Sequence, residues 1–167
     1  MQVNENIQVR RGERKPLGQR FAVISAEFNK IYCERLVLGA TAAFQAHGVD
    51  PSDIEIIWVP GSYELPLIAK VVAESGNFSG IVALGVLIKG DTDHYHHVAT
   101  EACSGLTRVM LDSGLPVGLG IIPALNTAQV EERSQYSEDG FNEGNKGWES
   151  ACAVLEASSL IKQLKEQ

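Results

Sequence analysis

Gly85-Val86-Leu87-Ile88-Lys89-Gly90-Asp91-Thr92-Asp93-His94 is the stretch that sets the architecture. Just before it, Ile81-Val82-Ala83-Leu84 forms a short, nearly continuous apolar run. Such a run is expected of a strand covered by helices on both faces of a parallel sheet. The strand runs into glycine and then into polar residues, so the pattern predicts a strand, a turn and a helix start. Gly90 reads as the residue that permits a sharp turn, and Asp91 or Thr92 as the cap of the next helix. Free amides at a helix start, backed by aligned peptide dipoles, favour an anion. His94 stands one turn further on, and imidazole is the side chain whose charge changes near neutral pH, so this is a position for proton transfer.

On either side of that stretch, strands and helices alternate. Residues 1–19 are polar and mixed in charge, and read as a flexible or partner-docked arm; residues 20–167 read as one domain. Arg20 to Ser25 is the first strand. Ile31 to His47 follows as a helix with Leu36, Val37, Ala40, Ala43 and Phe44 at helical spacing, stopped by Gly48. Ile54 to Val59 returns as a strand, closed by Pro60-Gly61-Ser62-Tyr63-Glu64-Leu65-Pro66. A helix from Leu67 to Ser75 leads to the strand at Ile81, and another spans about Asp93 to Asp112. Val117 to Ile122 is a further strand. Asn126-Thr127-Ala128-Gln129 has the spacing of a capping box, so a helix should run through Arg133. Ser134 to Gly147 reads as a long loop before a last helix from Trp148 to about Lys165, with Ala151, Val154, Leu155, Ser158 and Ile161 on one side.

This alternation implies right-handed crossovers and a four-stranded, mostly parallel sheet in an α/β fold, a three-layer α-β-α sandwich. Ligands in such folds bind beyond the carboxyl ends of the strands. Phe28, the Gly61 to Glu64 turn and the Gly90 to His94 turn all fall there, which brings an aromatic ring, a carboxylate, hydroxyls and a histidine to one place.

The totals restrict the remaining classes. With 167 residues, 44% hydrophobic and 21% charged, the chain has the make-up of a globular domain, and no apolar run approaches the roughly 20 residues that cross a bilayer. No membrane association is expected. A formal net charge of -7 argues against a nucleic-acid surface. Cys33, Cys103 and Cys152 are scattered and odd in number, which suits a reduced, cytoplasmic setting better than a disulfide framework. His94, His96 and His97 with Asp91 and Asp93 could pass for a metal site. On a helix, however, His96 points roughly 200° away from His94, and no i, i+4 pair exists, so no metal is expected. No G-x-G-x-x-G or Walker lysine loop is present.

Each candidate has an ordinary alternative. A histidine at a helix start is usually a surface group, a carboxylate such as Glu64 can simply complement a helix dipole, and a phenylalanine is most often core. Phe28, in a polar turn after a strand, instead suggests a ring on which a flat heterocycle stacks. Arg133 becomes interesting only beside an anion site.

The blocks Val59-Pro60-Gly61-Ser62-Tyr63-Glu64-Leu65-Pro66 and Ala83 through Tyr95, with Phe28, Asn126 through Arg133 and Gly144-Asn145-Lys146-Gly147, closely resemble the lumazine synthase family, over about residues 20 to 160 and in the right order. Their wording is most similar to its fungal branch. The resemblance implies a flavodoxin-like sheet and the penultimate step of riboflavin biosynthesis. In that step 5-amino-6-(D-ribitylamino)uracil condenses with 3,4-dihydroxy-2-butanone 4-phosphate to give 6,7-dimethyl-8-ribityllumazine, phosphate and water, with no metal or organic cofactor. Carried over by position, Phe28 stacks on the pyrimidine, and Ser62, Tyr63 and Glu64 hold the ribityl chain and ring edge. Val86, Leu87 and Ile88 contact the uracil. Asp91 and Thr92 face the phosphate, Arg133 pairs with it, Lys146 is a further ligand contact, and His94 moves protons. A flavin- or lumazine-binding protein without activity and an archaeal-type riboflavin synthase are the alternatives; the retained phosphate residues favour the condensation.

The chain departs from the family pattern at Leu119, where many members carry a phenylalanine over the heterocycle, at Asp91, which replaces a small neutral residue, and at Pro123 in place of threonine. The resemblance also implies a homopentamer whose sites lie between subunits, with Leu119 and Arg133 reaching the neighbour's pocket. The Ser134 to Gly144 segment is longer than in capsid-forming members, so a free pentamer is expected.

Overall fold

The computed structural model describes residues 7–16, 18–135 and 144–166. Its strands are β1 (Phe21–Ala26), β2 (Ile54–Val59), β3 (Gly80–Ile88) and β4 (Val117–Ala124). Its α-helices are α1 (Lys30–Ala46), α2 (Leu65–Glu74), α3 (His94–Ser113), α4 (Thr127–Arg133) and α5 (Lys146–Lys165). The four strands form one sheet in the order β2-β1-β3-β4, and every neighbouring pair is parallel.

Alternation along the strands divides the core into two layers, as the pleat requires. Phe21, Val23, Val82, Leu84, Val86 and Ile122 face α1 and α5, packing on Leu36, Phe44, Val154 and Leu155. The intervening Ala22, Ile24, Ile81, Ala83 and Ile121 face α2 and α3, against Leu65, Ala69, Ala102 and Leu106. Phe21 and Phe44 stack with ring centroids 4.7 Å apart, tying α1 to the sheet. The result is the three-layer sandwich that the alternating pattern predicts. The central strands β1 and β3 are buried along almost their whole length, which accounts for their unbroken apolar runs.

Three local expectations are corrected. The N-cap of α3 is Asp93, not Asp91 or Thr92, and its side chain makes no capping hydrogen bond. Gly90 makes its turn without a left-handed backbone, unlike Gly48 with φ 91° at the end of α1. The last helix starts at Lys146, two residues before the expected Trp148, because Asn145 caps it. At α4 the Asn126 Oδ1 accepts from the Gln129 amide at 3.0 Å, but the Gln129 side chain returns to the Leu125 amide (2.8 Å), one residue beyond the usual capping-box partner.

The polar residues 7–16 run along α5: Arg10 donates to the Gln163 carbonyl (2.9 Å), the Glu13 amide to Ser159 Oγ (3.1 Å), and Arg14 pairs with Glu156. Among the described residues, no helix is long and apolar enough to cross a membrane.

Candidate active site

β1 leads through α1 to β2 on one side of itself, and β2 leads through α2 to β3 on the other. The crevice between the carboxyl ends of β1 and β3 is therefore the topological switch point, where open α/β sheets take their ligands. A cavity of ≈ 410 Å³ opens there.

Each wall of that cavity follows from the residue order after a strand. After β1, the Glu27 and Phe28 amides bond to the Val59 and Pro60 carbonyls (2.8 and 3.2 Å), which leaves the Phe28 ring 69% exposed at the mouth. A phenyl ring this exposed on an ordered turn suits a stacking partner. Asn29 adopts φ 58°, ψ 42°, and its Nδ2 donates to the Val86 carbonyl at 2.9 Å, lacing the first wall to the third. After β2, residues Ser62–Glu64 form one 3-10 turn. Ser62 is buried and Tyr63 exposed. After β3, the Lys89 amide bonds to the Ala124 carbonyl (2.8 Å), and Thr92 Oγ1 accepts weakly from the His94 amide (3.4 Å) at the start of α3.

Phe28, Ser62, Tyr63, Glu64, Val86, Leu87, Ile88, Thr92 and His94 all line this one cavity. Asp91 lies in the same turn but is not part of the lining. Leu119, Arg133 and Lys146 are elsewhere in the chain: they line a second cavity of ≈ 390 Å³ with Pro123 and Glu149, along the outer edge strand β4. Arg133 there donates to the Gln129 carbonyl (3.1 Å) and to Glu132 (3.2 Å). Sequence reasoning missed Tyr95 and Val98, which complete the first cavity. Val98 follows His94 by four positions on α3, a spacing that could have found it, whereas Tyr95, one position on, carries no such signal.

Beneath the Phe28 turn, the Cys33 Sγ donates to the Phe28 carbonyl at 3.3 Å. Burial pushes its thiol up to about 11, so it remains protonated and serves as packing and not as a nucleophile. Among the described residues no group of His, Cys, Asp and Glu is arranged to hold a metal ion.

These features define an open parallel-sheet α/β protein with a small-molecule cavity at its switch point. The family model for 6,7-dimethyl-8-ribityllumazine synthase matches residues 18–162. A 6,7-dimethyl-8-ribityllumazine synthase of Nitratidesulfovibrio vulgaris (strain DP4) is 40% identical over 153 residues, 92% of this chain and 95% of that protein. One of Leuconostoc mesenteroides is 37% identical over 147 residues, 88% of this chain and 91% of that protein. The chain belongs to the 6,7-dimethyl-8-ribityllumazine synthase family, whose members act on small molecules.

Proposed function

We propose that this chain is a cytoplasmic transferase that condenses 5-amino-6-(D-ribitylamino)uracil with 3,4-dihydroxy-2-butanone 4-phosphate to form 6,7-dimethyl-8-ribityllumazine, the penultimate step of riboflavin biosynthesis. The observation that carries this reading, beyond family membership, is that Phe28, Glu64, Thr92 and His94 share one cavity at the switch point.

In this reading the pyrimidine stacks on Phe28 against Val86, Leu87 and Ile88, with its ribityl chain along Ser62, Tyr63 and Glu64. The phosphate sits at the Asp91-Thr92 turn, where amide groups and the Thr92 hydroxyl face it. An outward Asp91 carboxylate, with only its amide turned in, avoids repulsion. The substrate amine attacks the ketone, water leaves to give an imine, phosphate is eliminated, and ring closure expels a second water. Every one of these steps moves a proton, and His94 is the cavity's imidazole. Holding two substrates together supplies much of the rate, since well-oriented systems gain about 7–11 kcal/mol.

Cations strengthen phosphate binding by helix-start amides, and the described lining of the His94 cavity holds no lysine or arginine. That supports a homopentamer in which Leu119, Arg133 and Lys146 of one copy complete the cavity of the next. Residues 1–19 would be an arm on the single domain 20–167. The long segment expected to block shell formation falls mostly on residues 136–143, outside the described residues.

Mixing the protein with both substrates tests the activity: lumazine fluorescence and free phosphate should rise together, and neither signal at ample protein would refute it. Light scattering should give the mass of five chains; a monomer or a shell-sized particle overturns the assembly.

A further inference from the structure

Asn145 is completely buried, and its side chain uses its full hydrogen-bonding capacity, half on its own helix start and half on other segments of the chain. Its Oδ1 accepts from the Gly147 and Trp148 amides (2.8 and 3.1 Å), which caps α5. Its Nδ2 donates to the Arg35 carbonyl on α1 (3.1 Å) and to the Gln135 carbonyl (3.0 Å), two residues beyond Arg133. A backbone bridge joins Asn145 to Ser134, whose hydroxyl donates to the Val130 carbonyl (2.8 Å). Arg35 also pairs with Glu131 on α4. Capping explains only half of this arrangement, because serine and aspartate cap equally well and need no donors. The donor half binds the chain leaving α4 to the start of α5. It therefore fixes Arg133, the last residue of α4, relative to Lys146, the first of α5, and both line the β4-edge cavity. Space is kept for it: a side chain at Gly39 would collide with the Asn145 amide, and one at Gly147 with the Leu36 carbonyl.

We propose that Asn145 is a positioning residue that holds Arg133 and Lys146 on one wall as a single anion-binding pair. This rests on the reading that the wall receives the phosphate of the four-carbon substrate. Asn145 touches no substrate; it acts through the two cations.

Asn145→Ser and Asn145→Asp, made in the full chain, keep an acceptor for the cap and remove both donors. In either variant KM for the butanone phosphate should rise about tenfold, the loss of one charge-assisted hydrogen bond. KM for the pyrimidine should move far less. Arg133→Ala should cost less in the Asn145→Ser background than in wild type, because the guanidinium is already displaced. Inorganic phosphate, titrated by calorimetry, should bind wild type and be lost from the variants. Equal rises in both KM values, an undiminished Arg133→Ala effect, or unchanged phosphate binding would overturn the inference. So would failure of both variants to fold, which would make the amide purely architectural. If wild type binds phosphate but forms no lumazine, the functional reading fails while the positioning role is still measured by the phosphate titration.

Discussion

Replacing Gly85 with alanine places a methyl group at the junction of the fold and the cavity. Gly85 lies in β3 opposite the Ser62 turn, and a Cβ there would overlap the Ser62 Oγ and stand 3.3 Å from the Ser62 Cβ and 3.4 Å from the Leu65 Cδ1. Rotating the hydroxyl removes the first contact; the second still requires the turn to retreat by a few tenths of an ångström, and the third is at the limit of ordinary contact. Leu65 is fully buried and cannot yield, whereas Ser62 borders the cavity, so the turn gives toward the cavity. Overpacking of a tight core costs about 1–3 kcal/mol, and the same retreat shifts Glu64 at the cavity wall. Gly85→Ala should lower the unfolding free energy by that amount in urea and raise KM for the pyrimidine with little change in KM for the butanone phosphate. Ser62→Gly in the same chain relieves the overlap, so the double variant should be more stable than additivity allows. Stability equal to wild type, or strict additivity, would refute the packing argument.

Other perturbations separate the remaining roles. His94→Ala should slow turnover by about a hundredfold without abolishing it, since proton transfer supplies only part of the rate; complete loss in a folded, substrate-binding protein would contradict this division. Phe28→Ala should leave the melting temperature unchanged, because the ring is largely exposed, and raise KM for the pyrimidine by roughly five- to a hundredfold, the worth of one stacked base; a lowered melting temperature would show that the ring is core. The Cys33 thiol is raised from an ordinary 9.0 to about 11 by burial, so its contribution to stability is complete below pH 9 and is lost as pH rises through 11, by about 2–3 kcal/mol. Urea unfolding at pH 8 and pH 10.5 should therefore diverge in wild type more than in Cys33→Ala, and equal divergence would disprove it.

Much of this was legible without coordinates because it is local. Ile54 to Val59 forms the strand its β-branched run predicts, and Leu36, Val37, Ala40, Ala43 and Phe44 are all buried on α1 as their spacing requires. The cavity residues after β1, β2 and β3 could be gathered from sequence because a parallel sheet sends every strand's carboxyl end to the same edge. The packing at Gly85 was not legible: its missing side chain makes room for Ser62, 23 positions away in the chain. Nor was the start of α5, since an asparagine before Lys-Gly resembles loop until its partners on other segments are known.

The sequence by itself determined the alternation of strands and helices, the three post-strand turns, and the chemistry those turns carry. Each depends on hydrogen bonding and hydrophobic periodicity within a few residues. Tertiary structure alone decided the order β2-β1-β3-β4, and with it the switch point between β1 and β3. It also placed Lys146 beside Leu119 and Arg133 in a second cavity, and set Asn145 against Arg35, 110 residues earlier. These depend on which distant surfaces meet, and no local pattern encodes that: a buried amide and a solvated one have the same letter until the packing around them forms.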